Sequence, residues 1–187
     1  ITEHGLKFNV NLQSGHKTGF YLDQRANRLQ VRTLAKDKDV LDCFCYTGGF
    51  TVNALAGGAK SVLGVDSSAD ALALAKENIL LNDLPVDRSN FIEGDVFQLL
   101  RKFRDAGRSF DMIILDPPKF APTAAQAERA ARGYKDINLL AFKLLAGTCL
   151  SVLQMVVFLA IAWAFGVEVP LANLPGLLIA MACGATM

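Results

Sequence analysis

The stretch that decides the fold is Val40-Leu41-Asp42-Cys43-Phe44-Cys45-Tyr46-Thr47-Gly48-Gly49-Phe50. Its apolar, β-prone start is typical of a strand buried on both faces of a parallel sheet, with Asp42 near the carboxyl end. The two glycines turn the chain into a short helix, which Gly57 and Gly58 are predicted to end. Ligands of open α/β sheets bind outside the carboxyl ends of strands, so the stretch predicts a nucleotide-cofactor site. The alternative is a tight strand-to-helix connection without a ligand.

A second unit of strand and acid follows directly. Residues 61–65 form the predicted strand and Asp66 ends it, where a carboxylate is well placed to accept hydrogen bonds from both hydroxyls of a ribose. The chain has neither the Gly-x-Gly-x-x-Gly fingerprint of dinucleotide sites nor the Gly-x-x-x-x-Gly-Lys-Ser/Thr loop of phosphate sites. Carboxylates at two strand ends, and no lysine in the turn, favour a positively charged nucleoside such as S-adenosylmethionine over a nucleotide polyphosphate.

The pattern downstream continues to alternate helices and strands, as an α/β fold requires. Ser67 or Ser68 caps a predicted helix that runs to about Asn82. Phe91-Ile92 is predicted as a short third strand. Asp95 follows it, and this acid is predicted to cap the next helix or to accept a hydrogen bond from an adenine amino group. The two roles are compatible with each other.

A stiff loop ends the fourth predicted strand. Residues 110–115 run into Asp116-Pro117-Pro118-Lys119-Phe120. Each proline fixes φ and removes a donor, so the carbonyls of the loop are predicted to be free for a ligand. In methyltransferases that act on planar nitrogens or bases, an Asp/Asn-Pro-Pro-aromatic loop holds the target group near the methyl donor, and here Lys119 replaces the aromatic residue. The candidate substrate loop is therefore Asp116, Pro117, Pro118 and Lys119. The alternative is a rigid stop after the strand.

Three segments together carry a family resemblance, and these are Gly15 to Arg25 with Arg28, residues 40–50, and residues 116–120 followed by Arg132 to Asn138. Residues 5–145 resemble the methyltransferase domain of bacterial large-subunit ribosomal RNA cytosine-C5 methyltransferases. The resemblance implies a Rossmann-like sheet, S-adenosylmethionine as cofactor and ribosomal RNA as substrate. It also implies a set of cofactor-binding residues, namely Phe20, Gln24, Asp42, Phe44, Tyr46, Gly48, Gly49, Asp66, Asp95 and Asp116.

The first 38 residues are predicted as a β-hairpin segment ahead of the sheet. Apolar residues alternate at Leu6, Phe8, Val10 and Leu12. A turn is predicted at Ser14-Gly15, with a return strand over residues 20–22. Such a hairpin would serve as a lid or an RNA-facing edge, or would simply extend the sheet.

Charge gives weak evidence for an RNA partner. Residues 1–143 contain all 19 Lys and Arg and 17 of the 18 Asp and Glu, so any RNA surface would be a local patch. The candidates for that patch are Arg25, Arg28, Arg32, Lys36, Lys119, Arg129, Arg132 and Lys135. The ordinary alternative for each is a solvated helical face.

The cysteines form no metal-ligand pattern, and no metal is predicted. Cys43 and Cys45 lie at the strand end, whereas Cys149 and Cys183 are distant in sequence from them and from each other. We expect reduced, buried thiols, which is typical of a cytoplasmic protein.

The nucleophile of the resembling family is missing from its expected place. In that family a Ser-Cys-Ser supplies a thiolate that adds to C6 of cytosine, so that C5 can attack the methyl group. Here the corresponding region reads Ala146-Gly147-Thr148-Cys149-Leu150-Ser151 and then departs from the family pattern. Cys149 comes too early, at the start of the expected strand. We therefore expect a methyltransferase domain truncated before its catalytic cysteine, or a non-catalytic remnant that only binds the cofactor.

The tail has a different composition from the rest. Residues 144–167 contain no charge. As a helix this stretch would measure about 36 Å, enough to cross a bilayer. The predicted organisation is a hairpin segment over 1–38, a cofactor-binding domain over 39–145 with a sheet incomplete at its C-terminal edge, and a hydrophobic tail over 146–187. The favoured origin is a chimera with a membrane-permease-like fragment. The alternatives are a membrane-anchored methyltransferase, with the membrane as partner, and a buried helix that covers the sheet.

Overall fold

Short apolar strands that alternate with helices build a parallel sheet. The computed structural model describes residues 1–11, 20–118 and 127–145, and only the backbone of 127–129. Two short 3-10 helices lie at Leu22–Gln24 and Val86–Arg88. The other elements are β1 (Thr2–Glu3), β2 (Leu6–Lys7), α1 (Arg25–Leu34), β3 (Asp39–Cys43), α2 (Gly49–Ala56), β4 (Ser61–Asp66), α3 (Ala69–Leu80), β5 (Ser89–Glu93), α4 (Val96–Asp105), β6 (Met112–Leu115) and α5 (Ala127–Leu144).

The main sheet has the order β5-β4-β3-β6, and all three pairings are parallel. Val40 of β3 lies opposite Val62 of β4 and opposite Met112 of β6. Parallel neighbours need a crossover, and α2, α3 and α4 are the helices that lie between successive strands of this sheet. The predicted α/β fold with a parallel sheet is confirmed.

The two central strands, β3 and β4, bury side chains on both faces of the sheet. Val40, Val62 and Ile114 belong to a core on one face, which also contains residues of α1, α2 and α3. Leu41 and Leu63 belong to the core on the other face, with residues of α4 and α5. Because side chains alternate along a strand, an almost continuous apolar run fills both cores at once.

The predicted helix caps are confirmed. The Ser68 hydroxyl accepts a hydrogen bond from the backbone N–H of Ala71 (3.2 Å), and the Asp95 carboxylate accepts one from the N–H of Gln98 (2.8 Å). Both side chains satisfy donors that a helix leaves unpaired in its first turn. These caps fix where α3 and α4 begin, directly beyond the carboxyl ends of β4 and β5.

The N-terminal hairpin is shorter and lies earlier than the sequence predicted. β1 and β2 pair antiparallel around His4 and Gly5, whose φ angles are 48° and 82°. Two left-handed residues suit the tight turn of a two-residue hairpin. The predicted return strand over residues 20–22 is wrong, since the chain there enters a 3-10 helix and then α1. The predicted turn at Ser14-Gly15 lies outside the described residues.

A buried ion pair joins the hairpin to α1. The Arg28 guanidinium donates to both carboxylate oxygens of Glu3, at 2.8 and 2.7 Å, and also to the carbonyl of Tyr21 at 3.0 Å. The side chains of Arg28 and Glu3 are 3% and 5% exposed. The expectation that Arg28 belongs to an RNA surface is therefore wrong, because its charge is already paired inside the protein.

The last described helix covers the second core. α5 buries Ile137, Leu140 and Leu144, and the backbone N–H of Phe110 donates to the carbonyl of Leu144 (2.8 Å). The predicted tail over 146–187, with Cys149 and Cys183, lies outside the described residues. Within the part of the chain that the structure describes, no helix combines the length and apolar character needed to span a bilayer.

The Glu3–Arg28 pair gives a prediction for stability. Glu3→Gln leaves a buried guanidinium without its counter-charge, so we expect the free energy of unfolding to fall by about 3 kcal/mol. The measurement is urea denaturation of the full chain. Lys60→Met is the matched control, because it breaks an ion pair with Asp39 in which the lysine side chain is 68% exposed. The control should leave the urea midpoint nearly unchanged, and equal effects of the two variants would contradict the assignment.

Candidate cofactor site

The loop between β3 and α2, residues 44–48, has an unusual backbone and is called the glycine loop here. Phe44, Tyr46 and Gly48 all have positive φ, at 60°, 49° and 76°. Left-handed geometry is costly for residues with a side chain, and it persists only where surrounding contacts impose it. The glycine loop is therefore held in shape by the residues around it.

Three hydrogen bonds impose this shape. The N–H of Cys45 donates to the carbonyl of Val65 (3.1 Å), the N–H of Tyr46 donates to Asp66 Oδ2 (2.9 Å), and the N–H of Gly48 donates to the carbonyl of Cys45 (2.8 Å). Asp66 also accepts from the N–H of Ser68 through Oδ1 (3.0 Å). The second strand-ending acid thus joins the glycine loop to the start of α3.

Gly48 is required for two reasons. Its φ is positive, and a Cβ atom there would lie 2.8 Å from the Cβ of Ala75 on α3. Real side chains do not approach so closely, so α3 packs directly on the backbone of the glycine loop. This contact brings the carboxyl ends of β3 and β4 close to one helix.

Asp42 is the acid of the site whose pKa is shifted most. Its residue is 1% exposed, and its Oδ2 accepts from the Thr51 hydroxyl at 2.6 Å. Its Oδ1 is buried without a hydrogen-bond partner in the described structure. Burial raises the pKa of Asp42 to about 7 despite the bonds from Thr51, and the charges of Asp116 and Asp66 raise it further. A buried acceptor that lacks a donor fits a ligand that carries a positive charge or an N–H group.

The loop that follows β6 begins with Asp116, Pro117 and Pro118 and is called the Asp116 loop here. The charge of Asp116 is one of those that raise the pKa of Asp42. Asp116 is half-buried, and burial raises its pKa, with a further rise from Asp23 and an opposing effect from Arg28. The carbonyl of Pro118 accepts a hydrogen bond from the Tyr134 hydroxyl on α5 (3.3 Å). The prediction that the carbonyls of this loop are free is therefore wrong at Pro118, while Lys119 lies outside the described residues.

Two predicted cofactor residues lie in the segment before α1. Phe20 is buried, with its ring centroid 5.0 Å from that of Phe8 and 4.2 Å from the Arg28 guanidinium carbon. Gln24 accepts from the Asn27 side chain at 2.6 Å. Phe20 thus belongs to the core beneath the site. It lies beside Gly49, where a Cβ atom would be 3.6 Å from its ring.

Sequence reasoning missed three residues of the site. Thr51 orients Asp42, Tyr21 places its ring edge-on to Tyr46 at 6.2 Å, and Asn78 donates to the carbonyl of Thr47 at 3.0 Å. Only Thr51 had a local signal, because it lies in the first turn of the helix that the glycines open. The other two contacts join segments that are far apart in sequence.

The described part of the chain contains no cluster of three or more His, Cys, Asp or Glu residues that could hold a metal ion. The two cysteines of the site region are buried and free. Burial raises the pKa of the Cys43 and Cys45 thiols, which therefore lack the thiolate character of a nucleophile.

Comparison with known proteins agrees with this site, in which Asp42 and Asp66 lie at the carboxyl ends of two parallel strands beside the glycine loop. A family model described as S-adenosylmethionine-dependent methyltransferase matches residues 1–172, and the chain belongs to this family. The match extends beyond residue 145, where the family pattern was expected to end. S-adenosylmethionine is accordingly the cofactor of the family, and the unpartnered Asp42 oxygen fits a cationic ligand of this kind.

Curated relatives are similar to about three quarters of the chain. Ribosomal RNA large subunit methyltransferase I of Tolumonas auensis is 60% identical over 142 residues, and that of Enterobacter sp. (strain 638) is 56% identical over 145 residues. These alignments cover 76% and 78% of this chain but only 36% and 37% of the relatives, so the chain spans little more than a third of their length.

Two solved structures share the fold. A SAM-dependent methyltransferase from Streptococcus mutans is 31% identical with a TM-score of 0.69, over 78% of this chain and 38% of that one. A methyltransferase complexed with S-adenosylhomocysteine (SAH) is 30% identical with a TM-score of 0.65, over 77% and 38% of the two chains.

The raised pKa of Asp42 predicts a pH dependence of stability. An acid whose pKa is higher in the folded state holds its proton more tightly there, so its contribution to stability falls as pH rises from about 4 to about 7. Asp42→Asn cannot ionise and should lack this decline. The measurement is urea unfolding of wild type and variant across that pH range. Curves that stay parallel at every pH would contradict a raised pKa.

Proposed function

We propose that the chain binds S-adenosylmethionine at the carboxyl ends of β3 and β4, with Asp42 and Asp66 as the principal polar contacts. The observation that carries this proposal is the buried, unpartnered Oδ1 of Asp42. An acid in this state gains most from a ligand that brings a donor or a positive charge. The cofactor provides both, in its ammonium and sulfonium groups.

The other predicted residues take different roles in this proposal. Asp66 holds the glycine loop through Tyr46 and keeps unused lone pairs for ribose hydroxyls, since each carboxylate oxygen accepts more than one hydrogen bond. Gly48 and Gly49 contact the ligand through their backbone in this proposal, since Ala75 lies at the Cβ position of Gly48 and Phe20 lies beside that of Gly49. Phe20 lies beside Gly49, at the start of α2. The remaining contacts of the proposed pocket are Gln24, Phe44, Tyr46, Asp95 and Asp116.

When bound, S-adenosylmethionine supplies an electrophilic methyl group. In this proposal the residues of the chain bind and orient the cofactor, and the Asp116 loop holds the target base. Asp116 is a carboxyl with a raised pKa, beside a proline backbone that Tyr134 fixes through the carbonyl of Pro118. A rigid loop of this kind suits the positioning of a planar substrate.

The proposed substrate is cytosine of large-subunit ribosomal RNA, modified at C5. The names of the curated relatives support large-subunit ribosomal RNA as substrate. The three sequence segments support the cytosine-C5 family. Arg25 and Lys36 are exposed candidates for phosphate contacts, whereas Arg28 is not. We also propose a cytoplasmic location, as expected for an enzyme that modifies ribosomal RNA.

Cytosine C5 needs covalent activation by a thiolate, and no Ser-Cys-Ser occurs in these 187 residues. Cys43 and Cys45 are buried and cannot take that role. We therefore propose that this chain carries the cofactor-binding part of the enzyme without the Ser-Cys-Ser nucleophile. The second candidate is a non-catalytic cofactor-binding remnant fused to a membrane-permease-like fragment, favoured by the charge-free stretch over residues 144–167.

Calorimetric titration with SAH tests the cofactor site. Asp66→Asn removes a charged acceptor that holds the glycine loop, so we expect the Kd for SAH to rise at least about tenfold. Asp70→Asn is the matched control, because Asp70 is exposed in the first turn of α3. Wild type and control should bind alike. Failure of folded wild type to bind SAH, or equal binding by both variants, would contradict the proposed site.

A further inference from the structure

Two asparagines on α3 and just after it bind the backbone of the N-terminal hairpin segment. Asn82 accepts from the N–H of Lys7 and donates to its carbonyl, both at 2.7 Å. Asn78 accepts from the N–H of Asn9 at 2.7 Å and donates to its carbonyl at 3.4 Å. Each side-chain amide therefore pairs with one residue, Lys7 of β2 or Asn9 just after it, as a neighbouring strand would.

The spacing of the two amides matches the strand. Four residues of an α-helix rise about 6 Å, and two residues of a strand rise about 6.7 Å, so positions i and i+4 of a helix meet positions j and j+2 of a strand. The backbone groups of Leu6 and Phe8 point away from the asparagines, toward the first strand of the hairpin. Leu6 pairs there with Glu3, and Phe8 pairs with Ile1. The asparagines thus supply hydrogen-bond partners to the backbone N–H and carbonyl groups of Lys7 and Asn9, which face away from β1.

Only Asn78 extends this contact to the glycine loop. Its residue is fully buried, and its Nδ2 also donates to the carbonyl of Thr47 at 3.0 Å. The same peptide unit is held at its other end, because the N–H of Gly48 donates to the carbonyl of Cys45. Both polar groups of the Thr47–Gly48 peptide are therefore fixed, directly before the residue whose φ is 76°.

We propose that Asn78 is a positioning residue for the cofactor: it fixes the Thr47–Gly48 peptide and couples the glycine loop to the N-terminal hairpin segment. Without it, the peptide keeps only one of its two hydrogen bonds, and a buried carbonyl loses its donor. The glycine loop then samples other orientations, and the ligand must order it on binding. This inference rests on the proposed cofactor site for its effect on affinity, but not for its effect on the loop.

Asn78→Ala and Asn82→Ala form a matched pair, because both remove a contact to the hairpin and only the first removes a contact to the glycine loop. We expect Asn78→Ala to raise the Kd for SAH about tenfold and to speed hydrogen exchange of the Gly48 amide by a similar factor. Asn82→Ala should stay within about twofold of wild type in both measurements, although both variants lower the melting temperature.

Equal effects of the two variants on SAH affinity, or unchanged Gly48 exchange in Asn78→Ala, would overturn the proposal. Asn78→Asp serves if the alanine variant does not fold. It keeps an acceptor for Asn9 but turns a carboxylate oxygen toward the carbonyl of Thr47, so the same two changes are expected, and wild-type behaviour would overturn the proposal. Wild type that binds no SAH would refute the cofactor site alone, because Gly48 exchange still tests the role of Asn78.

Discussion

The site depends on the buried carboxylate of Asp42, one of whose two oxygens has no hydrogen-bond partner. Asp42 lies on a central strand, so the sheet and α2 remove it from water, yet only its Oδ2 receives a hydrogen bond from Thr51. Leaving a buried polar atom without a partner costs free energy, and such an atom needs an explanation in a folded protein. The proposed cofactor would explain it, since a cationic ligand would supply the missing partner and favour the ionised acid.

The backbone that follows Asp42 is held in a left-handed conformation at three residues. Three left-handed residues between β3 and α2 are fixed from two directions, by Asp66 at the end of β4 and by Asn78 on α3. The hairpin segment contributes through the same asparagine and through the Arg28–Glu3 pair, which anchors the residues before α1. The N-terminal segment is therefore part of the construction of the site rather than an appendage to the sheet.

The sequence predicted the sheet and the two central acids because their signals are local. An apolar run that ends in an acid and a glycine turn specifies strand, loop and helix within about ten residues, and Ser68 and Asp95 mark helix starts in the same local way. The hairpin was misplaced because alternation at Phe8 and Val10 continues beyond the two residues that pair in β2. The backbone of Phe8 still pairs with Ile1, and its side chain is buried against Phe20.

The residues that escaped prediction act over long sequence separations. Asn78 and Asn82 bind backbone groups 69 and 75 residues away, and a helical asparagine carries no sign of such a partner. Tyr134 of α5 donates to the carbonyl of Pro118, which lies in the loop after β6 and 16 residues earlier in the chain. Periodicity and capping rules describe neighbours in sequence, so contacts of this kind emerge only when the elements are assembled.

The claim that Asp42 accepts a cationic ligand is tested most directly by measuring the pKa of its side chain. The titration is observed through the carboxyl carbon NMR signal in protein with labelled aspartate. Asp42→Asn identifies the signal. We expect a pKa of about 7 in the free protein and a clearly lower pKa when the protein is saturated with SAH, because its ammonium group would stabilise the ionised acid. An ordinary aspartate pKa of about 3.9 in the free protein, or a raised pKa that SAH does not change, would contradict it.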